Sequence, residues 1–313
     1  MTDIITLGEL LIDLTQSGAD ENGNGTFVAY PGGAPANVAV AAARLGSKAA
    51  FIGKVGDDAF GRSLRAVLEK EGVGTEGLYT CGEHPTTMAI VSVDESGERD
   101  FAFYRDPGAD TQLTEDEAVS ALKAADAKIL HIGSLSMTTS PGREACEAAV
   151  KYARDNGMLV SYDPNYRGAL WDSEEEAVVM MKKLLPYADI LKVSDEEMAM
   201  LTGTEYFAEG SRILSEYGPA LVMVTMGADG VFVRYGDFAE RIPGFSVEVA
   251  DTNGAGDTFA GAMLAQIAGR EGFMDGLSKE ELHEFIVYAN LAASITCSRH
   301  GAIPAMPFLS EMK

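Results

Sequence analysis

The sequence predicts an α/β fold in which a mostly parallel central sheet is covered by helices on both faces. Two observations carry that expectation. Short apolar runs of strand character alternate with longer stretches of helical spacing along most of the chain. The helical stretches tend to close on glycine, as at Gly46 and Gly72, where a left-handed stop is expected.

Taken in order, "IITLG" (Ile4–Gly8) reads as a first buried strand and "APANVAVAAARLG" as an Ala-rich helix ending at Gly46. "AAFIGKV" and "DAFGRSLRAVLEKEG" form the next strand and helix. Further pairs are "AKILHIG" with "PGREACEAAVKYARDNG", "MLVSYD" with "SEEEAVVMMKKLLPYA", and "DILKVS" with "DEEMAMLTG". "ALVMVTMG" then leads into a hairpin, "GVFVRYGDFAERIP". Two stretches break the alternation. "TFVAYPGG" (Thr26–Gly33) and "TTMAIVSVDESGERDFAFYR" (Thr86–Arg105) have strand character without helices between them, and "DESG" marks a hairpin turn in the second. They predict a small β-sheet projecting from the main body as a lid, a dimer contact or both, built from segments at about 12–33 and 80–108. No repeat, low-complexity stretch or long linker divides the 313 residues, so one domain is expected.

Composition narrows the function. The formal charge of −24 argues against nucleic acid, whose phosphates are met by clustered Lys and Arg. An anionic substrate would need local basic residues against this background. The N-terminus lacks the basic region and long apolar core of a signal peptide, and no run of about 18 apolar residues suggests a membrane span. Cys81, Cys146 and Cys297 are odd in number and scattered, which fits reduced thiols in a cytoplasm. His84, His131, His283 and His300 lack metal-ligand spacing, and Trp171 reads as packing.

The informative stretch is "VEVADTNGAGDTFAGAML", residues Val247 to Leu264. An apolar strand-like run breaks at Asp251, a glycine-rich turn follows, and Asp257 opens a helical stretch. The N–H groups of Gly254, Ala255 and Gly256 are placed to converge on an anion at a helix start. An acid beside a merely bound phosphate would repel it. An acid beside a migrating phosphoryl group has a purpose: it accepts the proton of the attacking hydroxyl while the backbone stabilises the developing charge. By spacing alone, a capping Asp after a tight turn is an equally good description. Neither a Walker A loop nor a G-x-G-x-x-G fingerprint is present.

D-T-x-G-A-G-D followed by F-x-x-G resembles the C-terminal signature of the ribokinase-like (PfkB) carbohydrate kinases. "PGGAPANVAVAAARLG" (Pro31–Gly46) is similar to a second signature of that family, and "GKVGDDAFG" follows at its spacing. The resemblance runs over nearly the whole chain, and "FAFYRDPGAD", "SYDPNYRGALW" and "LKVSDEE" look most like fructokinases. It implies a three-layer αβα ribokinase-like fold and an ATP-dependent sugar kinase, with fructose as substrate and fructose 6-phosphate as product. A 2-keto-3-deoxygluconate kinase is the alternative within the family, since Arg105 and Arg167 could answer a carboxylate. A non-catalytic sugar or nucleotide sensor is the alternative outside catalysis.

The resemblance also assigns residues. Asp257 would be the general base, Gly254, Ala255 and Gly256 the anion hole, and Arg167 a group near the transferring phosphate. Asp13, Gly32, Gly33, Asn37, Phe103, Arg105 and Asn165 would form the sugar site. Phe101 and Tyr104 would join Phe103 as covering aromatics. Ser194, Glu197, Thr225, Gly227, Gly230, Gly254, Gly256 and Asn290 would serve ATP, with Glu197 ordering Mg²⁺ through water. Ser194 stands where the wider family has Asn, and a plain helix cap describes it as well. Asp251 and carbonyls of Asn253, Thr296, Arg299, Gly301 and Ala305 would hold a monovalent cation, K⁺. A homodimer through the lid is expected from the apolar faces of the projecting strands.

Overall fold

The computed structural model describes residues 1–93 and 99–312 and, of residues 91–93 and 99–101, the backbone alone. The expected "DESG" turn and the side chain of Phe101 lie outside the described residues. In chain order the strands are β1 (Thr2–Leu7), β2 (Leu11–Ala19), β3 (Gly25–Gly32), β4 (Ala49–Gly56), β5 (Gly74–Cys81), β6 (Met88–Val93) and β7 (Arg99–Tyr104). They continue as β8 (Ala127–Ile132), β9 (Leu159–Tyr162), β10 (Ile190–Ser194), β11 (Leu221–Thr225), β12 (Val231–Tyr235) and β13 (Phe238–Ile242). The helices are α1 (Ala34–Arg44), α2 (Ala59–Lys70), α3 (Glu115–Ala125), α4 (Gly142–Asp155), α5 (Glu174–Leu184), α6 (Asp195–Thr202), α7 (Phe207–Glu216), α8 (Ala255–Gly269) and α9 (Lys279–Cys297).

Among the described residues, nine strands form one sheet in the order β13-β12-β11-β10-β9-β8-β1-β4-β5. All neighbours from β11 to β5 are parallel, and β12 and β13 add an antiparallel edge. The core divides between the two faces of this sheet. Ile4, Ile129 and Ile190 point to a cluster shared with α1, α8 and α9, while Ile5, Leu130 and Leu191 point to one shared with α4, α5 and α6. Successive residues of one strand therefore both need apolar side chains, which is why these strands read as continuous apolar runs. The second sheet is four-stranded, in the order β3-β2-β6-β7. β3 is exposed along most of its length, with Phe27 and Val28 accessible to solvent.

Three features differ from the sequence reading. No strand precedes Asp251: residues 243–250 form no ladder, because β13 already ends the sheet, and the Ala250 and Asp251 N–H groups donate instead to the Cys297 carbonyl. The edge strand β5 and the helices α3, α7 and α9 are additional elements. β2 supplies the middle of the small sheet, pairing with β3 on one side and β6 on the other.

Candidate active site

The polar pocket, of about 70 Å³, sits where β1 and β9 end and the second sheet meets the helical layer. It is lined by Glu9, Leu11, Asp13, Gly33, Ala34, Asn37, Phe103, Leu135, Asn165, Arg167, Asn253 and Asp257. Its floor includes Gly33 and Ala34, at the turn into α1. Gly33 caps that helix at φ 110, and a Cβ there would collide with the Glu9 carbonyl. Only glycine permits so close an approach. Glu9, which the sequence reading leaves unassigned, accepts the Ala34 N–H at 2.8 Å and so ties the turn to the end of β1. Burial pushes its carboxyl up to about 7. Gly32 does not line the pocket. Its missing Cβ leaves room for the Asp13 carboxylate, which reaches it diagonally across the β2–β3 ladder, where Leu11 is the residue opposite Gly32.

Asp257 stands in the first turn of α8, whose N-cap is Gly254 at φ 76. A Cβ at Gly254 would lie 2.8 Å from that of Ala302, so the turn demands glycine both conformationally and sterically. The first N–H groups of such a helix have no partner within it and face an anion favourably. Glycine at the N-cap has no side chain with which to cap this start, and the Asp257 carboxylate is turned to another partner. It accepts from Asn37 Nδ2 at 2.8 Å, across 220 residues of sequence. Burial raises its carboxyl to about 6, with Asp163 adding to the effect and Asn37, Lys192 and Arg167 opposing it.

A second, larger cleft of about 410 Å³ opens beside the first. Thr225, Gly227, Gly230, Phe245, Val247, Ala255, Gly256, Phe259 and Asn290 are among its lining residues. Its walls are mainly apolar in side-chain type, with a few polar groups, as suits a heterocycle and its sugar. Asn290 Nδ2 donates to the Pro243 carbonyl at 3.1 Å, which fixes the amide on the cleft wall. Gly256 lines this cleft and the adjacent Asp257 lines the polar pocket, so the two meet at the glycine turn.

Several expected residues have different neighbours. Arg105 is absent from the pocket wall. Its guanidinium is held by Asp110 at 2.7 Å, Thr138 at 2.8 Å and the Leu135 carbonyl at 3.0 Å, and it is almost fully buried. It braces Leu135, which does line the pocket. Glu197 and Ser194 line neither pocket. Together they form a capping box on α6, in which Ser194 Oγ accepts the Glu197 N–H and Glu197 accepts the Ser194 N–H. The other Glu197 oxygen accepts the Tyr166 N–H at 2.7 Å and so anchors the loop carrying Asn165 and Arg167. Asn165 itself has φ 49 and donates its N–H to Asp163.

At the cation site expected near Asp251, the carboxylate accepts the Asn253 N–H at 2.9 Å and the Gly301 N–H at 3.1 Å, which draws two of the named residues around one acid. Thr296 Oγ1 lies 3.0 Å from Thr258 Oγ1 and ties α9 to α8, while the Thr296 carbonyl accepts the Arg299 N–H. The Arg299 guanidinium approaches the Ala305 carbonyl at 3.4 Å, so a positive charge already attends that oxygen. Among the described residues no cluster of His, Cys, Asp and Glu could hold a metal by side chains alone. Nor is any helix among them long and apolar enough to cross a membrane.

Two residues absent from the sequence reading complete the centre. Lys192, on β10, and Asp163, just after β9, form a buried ion pair at 2.9 Å. A Cβ at Gly256 would come within 3.0 Å of Lys192 Nζ, so the ammonium packs against the glycine turn.

The family model for the pfkB family carbohydrate kinases matches residues 1–309. The chain belongs to that family. Among the relatives of this pfkB kinase is a probable fructokinase-2 of Arabidopsis thaliana, 41% identical over 97% of this chain and 92% of the relative. A fructokinase of Xylella fastidiosa with bound ATP superposes with a TM-score of 0.92 at 33% identity, covering 100% of this chain and 97% of that one. A double-mutant fructokinase of Vibrio cholerae O395, in a form bound to fructose, ADP and potassium ion, gives 0.87 at 30% identity over 99% and 97%. The three-layer ribokinase-like fold expected from the sequence is the fold of these structures.

Proposed function

We propose that this chain is an ATP-dependent fructokinase that moves the γ-phosphoryl group of ATP to fructose, giving fructose 6-phosphate. The observation that carries the proposal is the 2.8 Å hydrogen bond from Asn37 to Asp257. It joins the two family signatures at the point where a polar pocket meets a nucleotide-sized cleft.

Asp257 is suited to take the proton of the attacking hydroxyl. With its carboxyl at about 6, it is mostly ionised at neutral pH yet more basic than an ordinary Asp. As the sugar oxygen bonds to phosphorus, the bond to the ADP oxygen breaks, and the N–H groups at the start of α8 stabilise the charge. Asp13 and Asn37 offer acceptors and donors to sugar hydroxyls, Phe103 gives an apolar wall, and Arg167 supplies a cation at the rim. Thr225, Gly227, Gly230 and Asn290 border the nucleotide.

Bound Mg²⁺ would neutralise phosphate charge. Glu197 fits only an outer, water-mediated place beside it, because both of its oxygens already accept backbone N–H groups. K⁺ fits beside Asp251 with the Asn253 and Gly301 carbonyls, and less well at Ala305. The small sheet would act as a lid, and its exposed apolar residues suit a homodimer in the cytoplasm. A 2-keto-3-deoxygluconate kinase is less well supported, because Arg105 has its guanidinium turned to Asp110 rather than to the pocket.

The test is ADP release with a panel of sugars, ATP and Mg²⁺. Fructose is expected to give the highest kcat/KM. Faster turnover of 2-keto-3-deoxygluconate or of a nucleoside would replace the substrate, and binding without turnover of any sugar would favour the sensor.

A further inference from the structure

Lys192 occupies a position that the fold reserves for an apolar side chain. Along β10, Ile190 faces the cluster shared with α1, α8 and α9, and the two-residue period turns Lys192 to that same face. Its ladder neighbour on β11 is buried Met223. Burying an ammonium here costs several kcal/mol before any pairing, and a Met or Leu would fill the space without that cost. The ion pair with Asp163 offsets the burial but does not account for it, since the acid is also buried.

What the ammonium touches suggests its use. It packs against Gly256, the residue that lines the nucleotide cleft next to Asp257. Asp163 holds it from the end of β9, and Glu197 lies close enough on α6 to attract it. Those two acids also fix the loop of Asn165 and Arg167, through the Asn165 and Tyr166 N–H groups.

We propose that Lys192 is a positioning residue for phosphoryl transfer: its buried ammonium, held by Asp163 against the glycine turn, keeps Asp257 in its basic form and lends positive field to the helix start. The inference rests on the kinase reading of the site.

The charges around Asp257 all bear on the test. Asp163 opposes its ionisation, while Lys192, Arg167 and the Asn37 amide favour it. His131, on β8, is held neutral by burial and by Lys192, with its pKa lowered to about 3, so it does not titrate in the working range. Glu9 lines the same pocket, but the charges acting on it are Arg105 and Asp110.

The experiment compares wild type, Lys192→Met, Lys192→Arg and the double variant Lys192→Met/Asp163→Asn. The first readout is the ¹³C titration of the Asp257 carboxyl in labelled, ligand-free protein, assigned by difference with Asp257→Asn. The second is kcat and KM for fructose. In Lys192→Met the midpoint should rise by about one pH unit or more. Its kcat should fall about tenfold with little change in KM. Lys192→Arg, which keeps the charge, should restore both. The double variant removes the pair as a unit, so it should melt near wild type, and because it also removes the opposition of Asp163 its Asp257 midpoint should lie below that of Lys192→Met. An unchanged Asp257 midpoint in Lys192→Met overturns the inference, as does wild-type kcat in that variant. If Lys192→Met does not fold, the double variant is compared with Asp163→Asn alone: its Asp257 midpoint should be the higher of the two, and equal midpoints overturn the inference. Because the titration needs no turnover, it judges Lys192 even where wild type phosphorylates no sugar, an outcome that would instead fault the kinase reading.

Discussion

Replacing Asp257 by Asn separates catalysis from stability, and the structure predicts opposite signs for the two. Asn retains the size of the side chain and an oxygen able to accept from Asn37 Nδ2. It removes the carboxylate assigned to accept the proton of the attacking hydroxyl. Loss of a general base costs about 10²–10⁴ in rate, so kcat should fall by that factor while fructose and nucleotide still bind. Stability should move the other way. The carboxyl is raised from 3.8 to about 6 on folding, mainly by burial. A raised acid stabilises the fold fully below its unfolded value, and that contribution is lost as pH rises through its folded value. At pH 7.5 ionised Asp257 is therefore a net burden, bounded at about 3 kcal/mol by 1.4 kcal/mol per pKa unit. Its partial exposure at the pocket wall reduces this to about 1–2 kcal/mol. Asp257→Asn should thus melt about 2 °C or more above wild type at pH 7.5, with the difference vanishing below pH 4. In wild type kcat should decline below about pH 6 as the base is protonated. The assay is steady-state ADP release and calorimetric melting over pH 4–8. A variant with near wild-type kcat would reduce Asp257 to a feature of the helix start. One that melts lower than wild type at pH 7.5 would refute the electrostatic argument.

Other outcomes follow from the same geometry. Activity should be higher in K⁺ than in Na⁺ at equal ionic strength, and identical rates would remove the cation beside Asp251. Arg105→Ala leaves buried Asp110 without its cationic partner, with Thr87 still bonded to it, so unfolding free energy should fall by about 3–5 kcal/mol in denaturant titration, and an unchanged midpoint would contradict the bracing role. Exposed Phe27, Val28 and Tyr104 on the small sheet predict a homodimer by sedimentation at micromolar protein, which a monomer would exclude.

The layered sheet was legible because its strands are buried on both faces, and that leaves a continuous apolar run in the sequence. Elements without such a record were harder to see. β5 is an edge strand interrupted by Gly77 and only partly buried. Helix α7 begins without a side-chain cap and carries Gly210 in its interior. Helix α3 did leave a signal, the Thr114/Glu117 capping box, which a search for S/T-x-x-E would have found. "VEVA" before Asp251 has strand composition but no neighbouring strand to pair with, a fact no local pattern contains. At the site, the glycine turns and Asp257 could be read because their spacing is fixed by local geometry. Arg105 could not be placed, since its partners Thr138 and Leu135 come from another part of the chain. Lys192 was detectable in principle: a lysine inside an apolar strand is an anomaly, but "DILKVS" still scores as a strand and its partner Asp163 belongs to a different motif.

The central claim is that the residues joined by the Asn37–Asp257 hydrogen bond carry out phosphoryl transfer to a sugar hydroxyl. The most direct measurement is ³¹P NMR of a single reaction containing the protein, fructose, ATP and Mg²⁺, run beside an identical one with Asp257→Asn. The account predicts fructose 6-phosphate and ADP accumulating in equal amounts with wild type, and neither accumulating appreciably with the variant over the same period. Inorganic phosphate in place of a sugar phosphate, or equal product from both proteins, would contradict it, while fructose 1-phosphate would move the transfer to a different hydroxyl.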